Sequence, residues 1–474
     1  MKKTEKGLSA LQLAMMALGT VIGGSFFLGS SVAIHAAGPS ILLGFIYGGM
    51  LVYFILYALS EMTVANPDSG SFRTFAADAF GPGAGFVVGW VYWTGMILAM
   101  SSEATAVSIL VRVWAPTIPI AILGSAIISG VTLLNLLGAN RLSKLESGLA
   151  AVKLAAIVSF IIIALLLIVG AFPGNKAIGA GELANENFMP GGITGLAGSM
   201  LIVMFSYAGF EIIGLASSEA ENPKTSIPKA IRYTVISLVA LYIISVGILL
   251  PLIPTVDINE NTSPIVAALN RHGIDWAGNA LNIVLITAIL STMLAAMFGL
   301  GRMMRSLADE GHAPEWLKNK TDVPYRGILA SGVAMLIALG FGLLFPRVYL
   351  FLISSGGFAI LFSYAVIMAT HIKFRKKNGC PDGKCQMWGF PYTSVFVLLS
   401  LIAAIISMPF VKGQASGLIA GSIIVVFYTL SYAILRVFKQ TRTINKKVLY
   451  KRAPRFQTEQ SKEIADKDNN DNDQ

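Results

Sequence analysis

Apolar runs long enough to cross a bilayer recur from near the N-terminus to about residue 437, and no other feature limits the possible folds of this chain so strongly. A transmembrane helix needs about 20 consecutive apolar residues. Twelve such runs are expected, over 8–33, 39–63, 84–110, 118–137, 147–170, 193–216, 230–252, 277–300, 327–345, 348–371, 392–410 and 415–437. Only 13% of the residues are charged, against about 25% in soluble domains, and the mean hydropathy is +0.71. Within hydrocarbon only helices and closed barrels satisfy their own backbone, so the expected class is an all-α integral membrane protein. The first run, from Leu8, is too long and too glycine-rich to read as a cleavable leader.

Two of these runs are interrupted by glycine and polar residues, at comparable places in two halves of the chain. One break lies within Leu18-Gly-Thr-Val-Ile-Gly-Gly-Ser-Phe-Phe27, the other within Phe205-Ser-Tyr-Ala-Gly-Phe-Glu211. A helix broken at membrane depth frees N–H and C=O groups, which must line a cavity and bind something. Matched breaks of this kind are a sequence pointer to a transporter's substrate site. Taken alone, Gly23 and Gly24 also suit a close-packed helix surface.

Charge placement supplies an orientation. An even number of spans puts both termini on one side. Most of the 35 lysines and arginines fall on that side; the other loops hold only Arg112, Lys176, Arg271, Arg347 and Lys412, and Lys153 sits within a span. The positive-inside rule makes the richer side cytoplasmic, with the protein in the plasma membrane. A twelve-helix domain is therefore expected over 1–440, as a first repeat over 8–170, an inverted second repeat over 193–371 and two further helices over 392–437. The stretch 441–474, most polar from Gln457, is expected to be a disordered cytoplasmic tail.

Three separated motifs carry a resemblance. Ala17-Leu-Gly-Thr-Val-Ile-Gly-Gly-Ser-Phe-Phe-Leu-Gly-Ser30 is similar to the first-helix signature of the amino acid–polyamine–organocation superfamily. The run from Phe205 to Ile231, with Glu219-Ala-Glu-Asn-Pro223 and Ile227-Pro-Lys-Ala230, resembles its sixth helix and following loop. Gly301 to Pro314 resembles the bacterial amino acid permease branch after the eighth helix. The branch more often has Gly-Thr-Gly where this chain has Gly23-Gly24-Ser25. The resemblance covers about residues 8–440. It implies a LeuT-like fold, a 5+5 inverted repeat with helices 1 and 6 unwound plus two additional helices, and amino acid transport.

An α-amino acid carries a carboxylate and an ammonium, and a broken helix offers a partner to each. Amides of Gly23, Gly24 and Ser25 are expected to hold the carboxylate. Carbonyls of Thr20, Val21 and Ile22, with those near Phe205 and Ala208, are expected to hold the amine. Phe26, Ser206, Tyr207 and Phe210 are candidates for side-chain selectivity. No unmatched charge projects clearly into that pocket, which favours a substrate with a neutral side chain.

Three ionisable residues lie inside spans, where they are expensive and usually functional. Lys153 matches a superfamily lysine whose ammonium resembles a bound sodium ion in proton-coupled members; snorkelling to the cytoplasmic surface is the alternative. Glu103 matches a glutamate of the bacterial branch and suits a proton carrier, or else a structural hydrogen-bond partner. Glu211 is read as bracing the second break or taking part in coupling.

The remaining features are weaker. Cys380 and Cys385 flank a Pro-Asp-Gly-Lys turn on the cytoplasmic side and are expected to be reduced. With His371 the only third ligand nearby, no metal site is expected. The cluster Lys373-Phe-Arg-Lys-Lys377 is expected to meet anionic headgroups. Trp90, Trp93 and Trp114 read as interfacial or packing aromatics. There is no Gly-x4-Gly-Lys-Ser/Thr loop for ATP. The expectation is a secondary active transporter, not an enzyme, that imports a neutral amino acid with protons by alternating access. It needs no cofactor, nucleic acid or obligatory protein partner, only substrate, protons and the lipid bilayer. The alternatives are an exchanger, a permease for an amine such as GABA, or a non-transporting sensor.

Overall fold

The computed structural model describes all residues except 1–7, 66–71, 212, 214–219, 319–320, 322, 381–386 and 453–474. The described residues are mostly helical, and their one β-bridge joins Leu8 to Ala220. Two compact units divide the chain, Met1–Tyr428 and Thr429–Gln474. In the second, the described residues continue the last helix.

The first interrupted run is three helices: α1 (Ala10–Val21), α2 (Gly24–Phe27) and α3 (Gly29–Ala37). Ser9 caps α1 in a reciprocal box with Gln12, satisfying two amides that would otherwise go unpaired. Then follow α4 (Ile41–Ala65), α5 (Phe72–Phe80), α6 (Pro82–Val111), α7 (Ile120–Asn135) and α8 (Ala139–Val169). The second interrupted run contributes α9 (Gly192–Ser206). Beyond it come α10 (Pro223–Leu249), α11 (Pro264–Arg271), α12 (Asp275–Asp309), α13 (Tyr325–Gly342), α14 (Val348–Asn378), α15 (Tyr392–Ile406) and α16 (Ala415–Arg452).

Every expected run contains a helix. Among the described residues, eight helical stretches are long and apolar enough to span a bilayer, and α1, α7, α9 and α15 are shorter apolar helices. α16 runs on to Arg452, past the residue 437 at which its apolar segment was expected to end.

α6 and α14 form the centre. Their approach is close because the facing residues are small: a Cβ on Gly95 would stand 2.7 Å from that of Ala359. Such surfaces let helix backbones meet where no hydrophobic drive separates helix from lipid. Ile419, Ile423 and Phe427 on α16 are exposed, as a lipid-facing surface requires.

Two side chains, those of Arg375 and Cys380, depart from expectation. Arg375, placed with the headgroup-facing cluster, turns inward and is buried, because Glu61 of α4 offers its guanidinium a carboxylate. His371 faces the same carboxylate at 2.7 Å. Cys380 is disulfide-bonded, not reduced; its one possible partner within the chain, Cys385, lies outside the described residues. Only four residues separate the two cysteines in sequence, so closing the ring costs little chain entropy. Trp93 is a packing residue that donates to Ser331, whereas Trp114 is exposed.

Candidate functional site

The two breaks meet. Gly209, at the centre of the second, adopts φ +106°, a conformation open to glycine and strained for other residues. Its carbonyl accepts from the Thr20 hydroxyl at 3.3 Å, and a Cβ there would stand 3.2 Å from the Thr20 carbonyl. Ser206 donates to the carbonyl of Ser25 at 3.2 Å. The expected residues of the two segments therefore share one centre, with Val21, Ile22, Ser25, Phe205, Ser206, Tyr207 and Phe210 buried and Thr20 and Ala208 half-buried.

At the first break, α1 ends at Val21, Ile22 and Gly23 are extended, and α2 opens at Gly24. Several of the freed groups find partners within the protein. Lys153 reaches in from α8 and donates to the carbonyls of Gly19 at 2.8 Å and Ile22 at 3.2 Å, and to the Thr292 hydroxyl at 2.9 Å. Three acceptors match the three hydrogens of an ammonium. On the other side of the break, Glu103 of α6 accepts from the Gly24 amide at 2.7 Å and the Ser25 amide at 3.2 Å. Carbonyls meet an ammonium and amides meet a carboxylate, which is the arrangement expected of a bound zwitterion, supplied here by two side chains.

The glycines admit this approach. A Cβ on Gly24 would stand 2.6 Å from a Glu103 carboxylate oxygen, and one on Gly23 would stand 3.2 Å from the Thr292 hydroxyl.

At the second break the chain turns through Tyr207–Glu211, and the Phe205 carbonyl is taken up by the Ala208 amide at 3.0 Å. Glu211 accepts from the Gly209 amide at 3.0 Å, from Tyr364 of α14 at 3.0 Å and from Tyr92 of α6 at 2.6 Å. One carboxylate thus ties the unwound turn to both central helices.

Aromatic rings close the walls. Phe26 stacks on Tyr242 of α10 at 4.1 Å, and Phe210 packs on Tyr364 at 4.9 Å. Tyr242 donates to the Ser206 carbonyl at 2.7 Å, and Tyr207 to Phe45 at 2.8 Å. Tyr349 of α14 donates to the Gly24 carbonyl at 3.3 Å. It also lines a cavity of about 280 Å³, whose other walls include Thr105, Arg112, Glu260 and Arg347. Glu260 pairs with Arg347 at 3.3 Å. Burial raises its carboxyl above the usual carboxylate range, against the pull of that arginine.

Sequence reasoning did not place Thr292, Tyr92, Tyr242, Tyr349 or Tyr364. Each sits in an apolar stretch of helix without a break to mark it. A hydroxyl at the depth of a break is the one signal that would have singled them out.

A sequence profile of the amino acid permease family matches residues 12–453. The chain belongs to the amino acid permease family. It is similar to the gamma-aminobutyric acid permease of Bacillus subtilis, at 32% identity over 439 residues, covering 91% of this chain and 94% of the relative. It is also similar to the aromatic amino acid transport protein AroP of Salmonella typhimurium LT2, at 33% identity over 419 residues and 87% and 92% coverage. Membership makes this multi-pass membrane protein an amino acid transporter and not an enzyme.

Proposed function

We propose that this permease imports a neutral amino acid by proton symport, with α1–α3 and α9 contributing the substrate site. Glu103 carries the reading: its carboxylate sits on the Gly24 and Ser25 amides, the donors that a substrate carboxylate would need. Substrate and Glu103 compete for the same hydrogen bonds. A carboxylate displaced from its donors into an apolar surround is costly while charged, so Glu103 takes up a proton as substrate arrives. Coupling follows from that exchange. Lys153 holds the carbonyl side of the break with its own ammonium, which leaves sodium without a task.

Alternating access then moves the elements around the break. The twelve expected spans form two inverted halves over 8–170 and 193–371 with two helices outside them, and both termini are cytoplasmic. Phe26, Phe210 and Tyr242 around the breaks favour a substrate without a charged side chain. These relatives are named for GABA and for aromatic amino acids, so an ω-amino acid is the second reading within the same chemistry.

The test is an uptake screen of the twenty amino acids and GABA in proteoliposomes, with and without an imposed proton gradient. Gradient-driven accumulation of neutral compounds supports the proposal. Uptake confined to exchange, or to cationic substrates, refutes it.

A further inference from the structure

The buried cluster at the far end of α14 has no part in the substrate site. Glu61 of α4 and His371 of α14 are fully buried, and Arg375 nearly so. One Glu61 oxygen accepts from His371 Nε2 at 2.7 Å and from Arg375 Nε at 3.0 Å; the other accepts from the Met387 amide at 2.7 Å. Arg375 also donates to the Met387 carbonyl at 2.9 Å and reaches the Cys380 sulfur at 3.0 Å. A single carboxylate thereby joins α4, α14 and the segment leading into α15.

The second nitrogen of His371 makes the cluster responsive. Nδ1 lies 3.2 Å from the Ser394 hydroxyl of α15, and that hydroxyl lies 3.6 Å from the Met387 sulfur. With the imidazole neutral, Ser394 donates to Nδ1. With it protonated, Nδ1–H donates to Ser394, whose hydrogen turns to the sulfur. Both states satisfy their partners without moving a heavy atom, so a proton enters with no rearrangement cost. What changes is the attraction: the protonated imidazole adds a cation against Glu61 to that of Arg375.

Among the described residues, four segments bring groups to the imidazole. α4 brings Glu61, and α14 brings Arg375 one turn on. The segment before α15 brings the Met387 backbone and the Phe390 ring, and α15 brings Ser394. α5 meets α14 through Phe80, beneath Lys373. Among the described residues, His371 and Arg375 bring their charges to Glu61.

We propose that Glu61, His371 and Arg375 form a second proton-binding site, separate from Lys153 and Glu103, that latches α4 to α14 when the cytoplasm acidifies. The helix it holds is the one that carries Tyr349 and Tyr364 to the two breaks. Two turns, about 10 Å, separate Tyr364 from His371. Latching α14 slows the exchange of the site towards the cytoplasm, so import is throttled as protons build up inside. This rests on the transport reading and on its orientation, which puts the cluster at the cytoplasmic end.

The test uses right-side-out membrane vesicles with the lumen buffered at pH 7.5 or 5.5. With external pH fixed, counterflow in the wild type is expected to slow about threefold or more at the acid setting. His371→Gln keeps a donor towards Glu61 but does not titrate, and should abolish that dependence while leaving the response to external pH. Ser394→Ala is the milder variant. A charged hydrogen bond is the stronger one, so losing it weakens the protonated state and should alter the dependence on lumenal pH. Hydrogen–deuterium exchange over 55–65 reads the latch without transport: once intrinsic rates are corrected, protection should rise at pH 5.5 in the wild type and stay level in His371→Gln. Absence of counterflow at pH 7.5 with that protection pattern intact counts against the transport reading alone. A wild type indifferent to lumenal pH, or a His371→Gln or Ser394→Ala variant that keeps the wild-type dependence, overturns the latch.

Discussion

Gly24 is where the site is least tolerant of change. Its amide gives the shortest hydrogen bond to Glu103, and any side chain there would collide with the same carboxylate. Relieving such an overlap in a packed interior costs about 1–3 kcal/mol. Gly24→Val should therefore cut uptake by about tenfold or more while the protein still inserts, and substrate should no longer raise its melting temperature. Normal uptake by this variant would remove the carboxylate–amide argument. Glu103→Gln tests the proton separately, because the amide keeps the shape and one acceptor but cannot carry a charge. Uptake by this variant should lose its dependence on external pH; an unchanged profile would leave Glu103 a structural residue. Lys153→Ala removes the ammonium from the Gly19 and Ile22 carbonyls. Gradient-driven accumulation should stop, although exchange at the site can persist.

Among the elements, the unwound turn after α9 depends on Glu211. Hydrogen bonds to a charged group are worth about 1.5–3 kcal/mol each. Tyr364→Phe removes one of the three bonds to this carboxylate, so thermal unfolding in detergent should shift down by several degrees, with Tyr92→Phe behaving alike. An unmoved midpoint in both would mean that the turn is held by packing instead. The breaks themselves were legible in the sequence because Gly23, Gly24 and Gly209 interrupt apolar runs that otherwise have every reason to stay helical. Lys153, Glu103 and Glu211 were legible because charge is rare at that depth. The pairings were not. Nothing in a linear pattern tells that Glu103 lies on amides 79 residues away, or that Thr292 and Tyr349 turn their hydroxyls to the same break. Helix rotation decides those contacts, and an apolar helix packed on most sides carries little periodicity from which to read it. Arg375 failed for the same reason: in sequence it belongs to a basic cluster, and the carboxylate that draws it inward is on α4.

At the scale of the whole molecule, the question is what drives substrate across. A neutral amino acid at physiological pH is a zwitterion without net charge, so a symported proton brings one positive charge inward per substrate. Moving one charge through the membrane potential is worth about 2.3 kcal/mol per 100 mV. At equilibrium that corresponds to roughly fifty-fold more accumulation for each 100 mV, inside negative. Proteoliposomes with a potassium diffusion potential and equal pH on both sides should therefore concentrate the substrate, and collapsing the potential should release it. Replacing sodium by choline should change nothing, because Lys153 already occupies the Gly19 and Ile22 carbonyls and the Thr292 hydroxyl. An exchanger gives a different result: it swaps label for label at any potential and accumulates nothing without a counter-substrate. Sodium-dependent uptake would mean that the lysine does not stand in for a cation. Uptake indifferent to voltage would mean that no net charge crosses with the substrate, and the proton symport reading would fail with it.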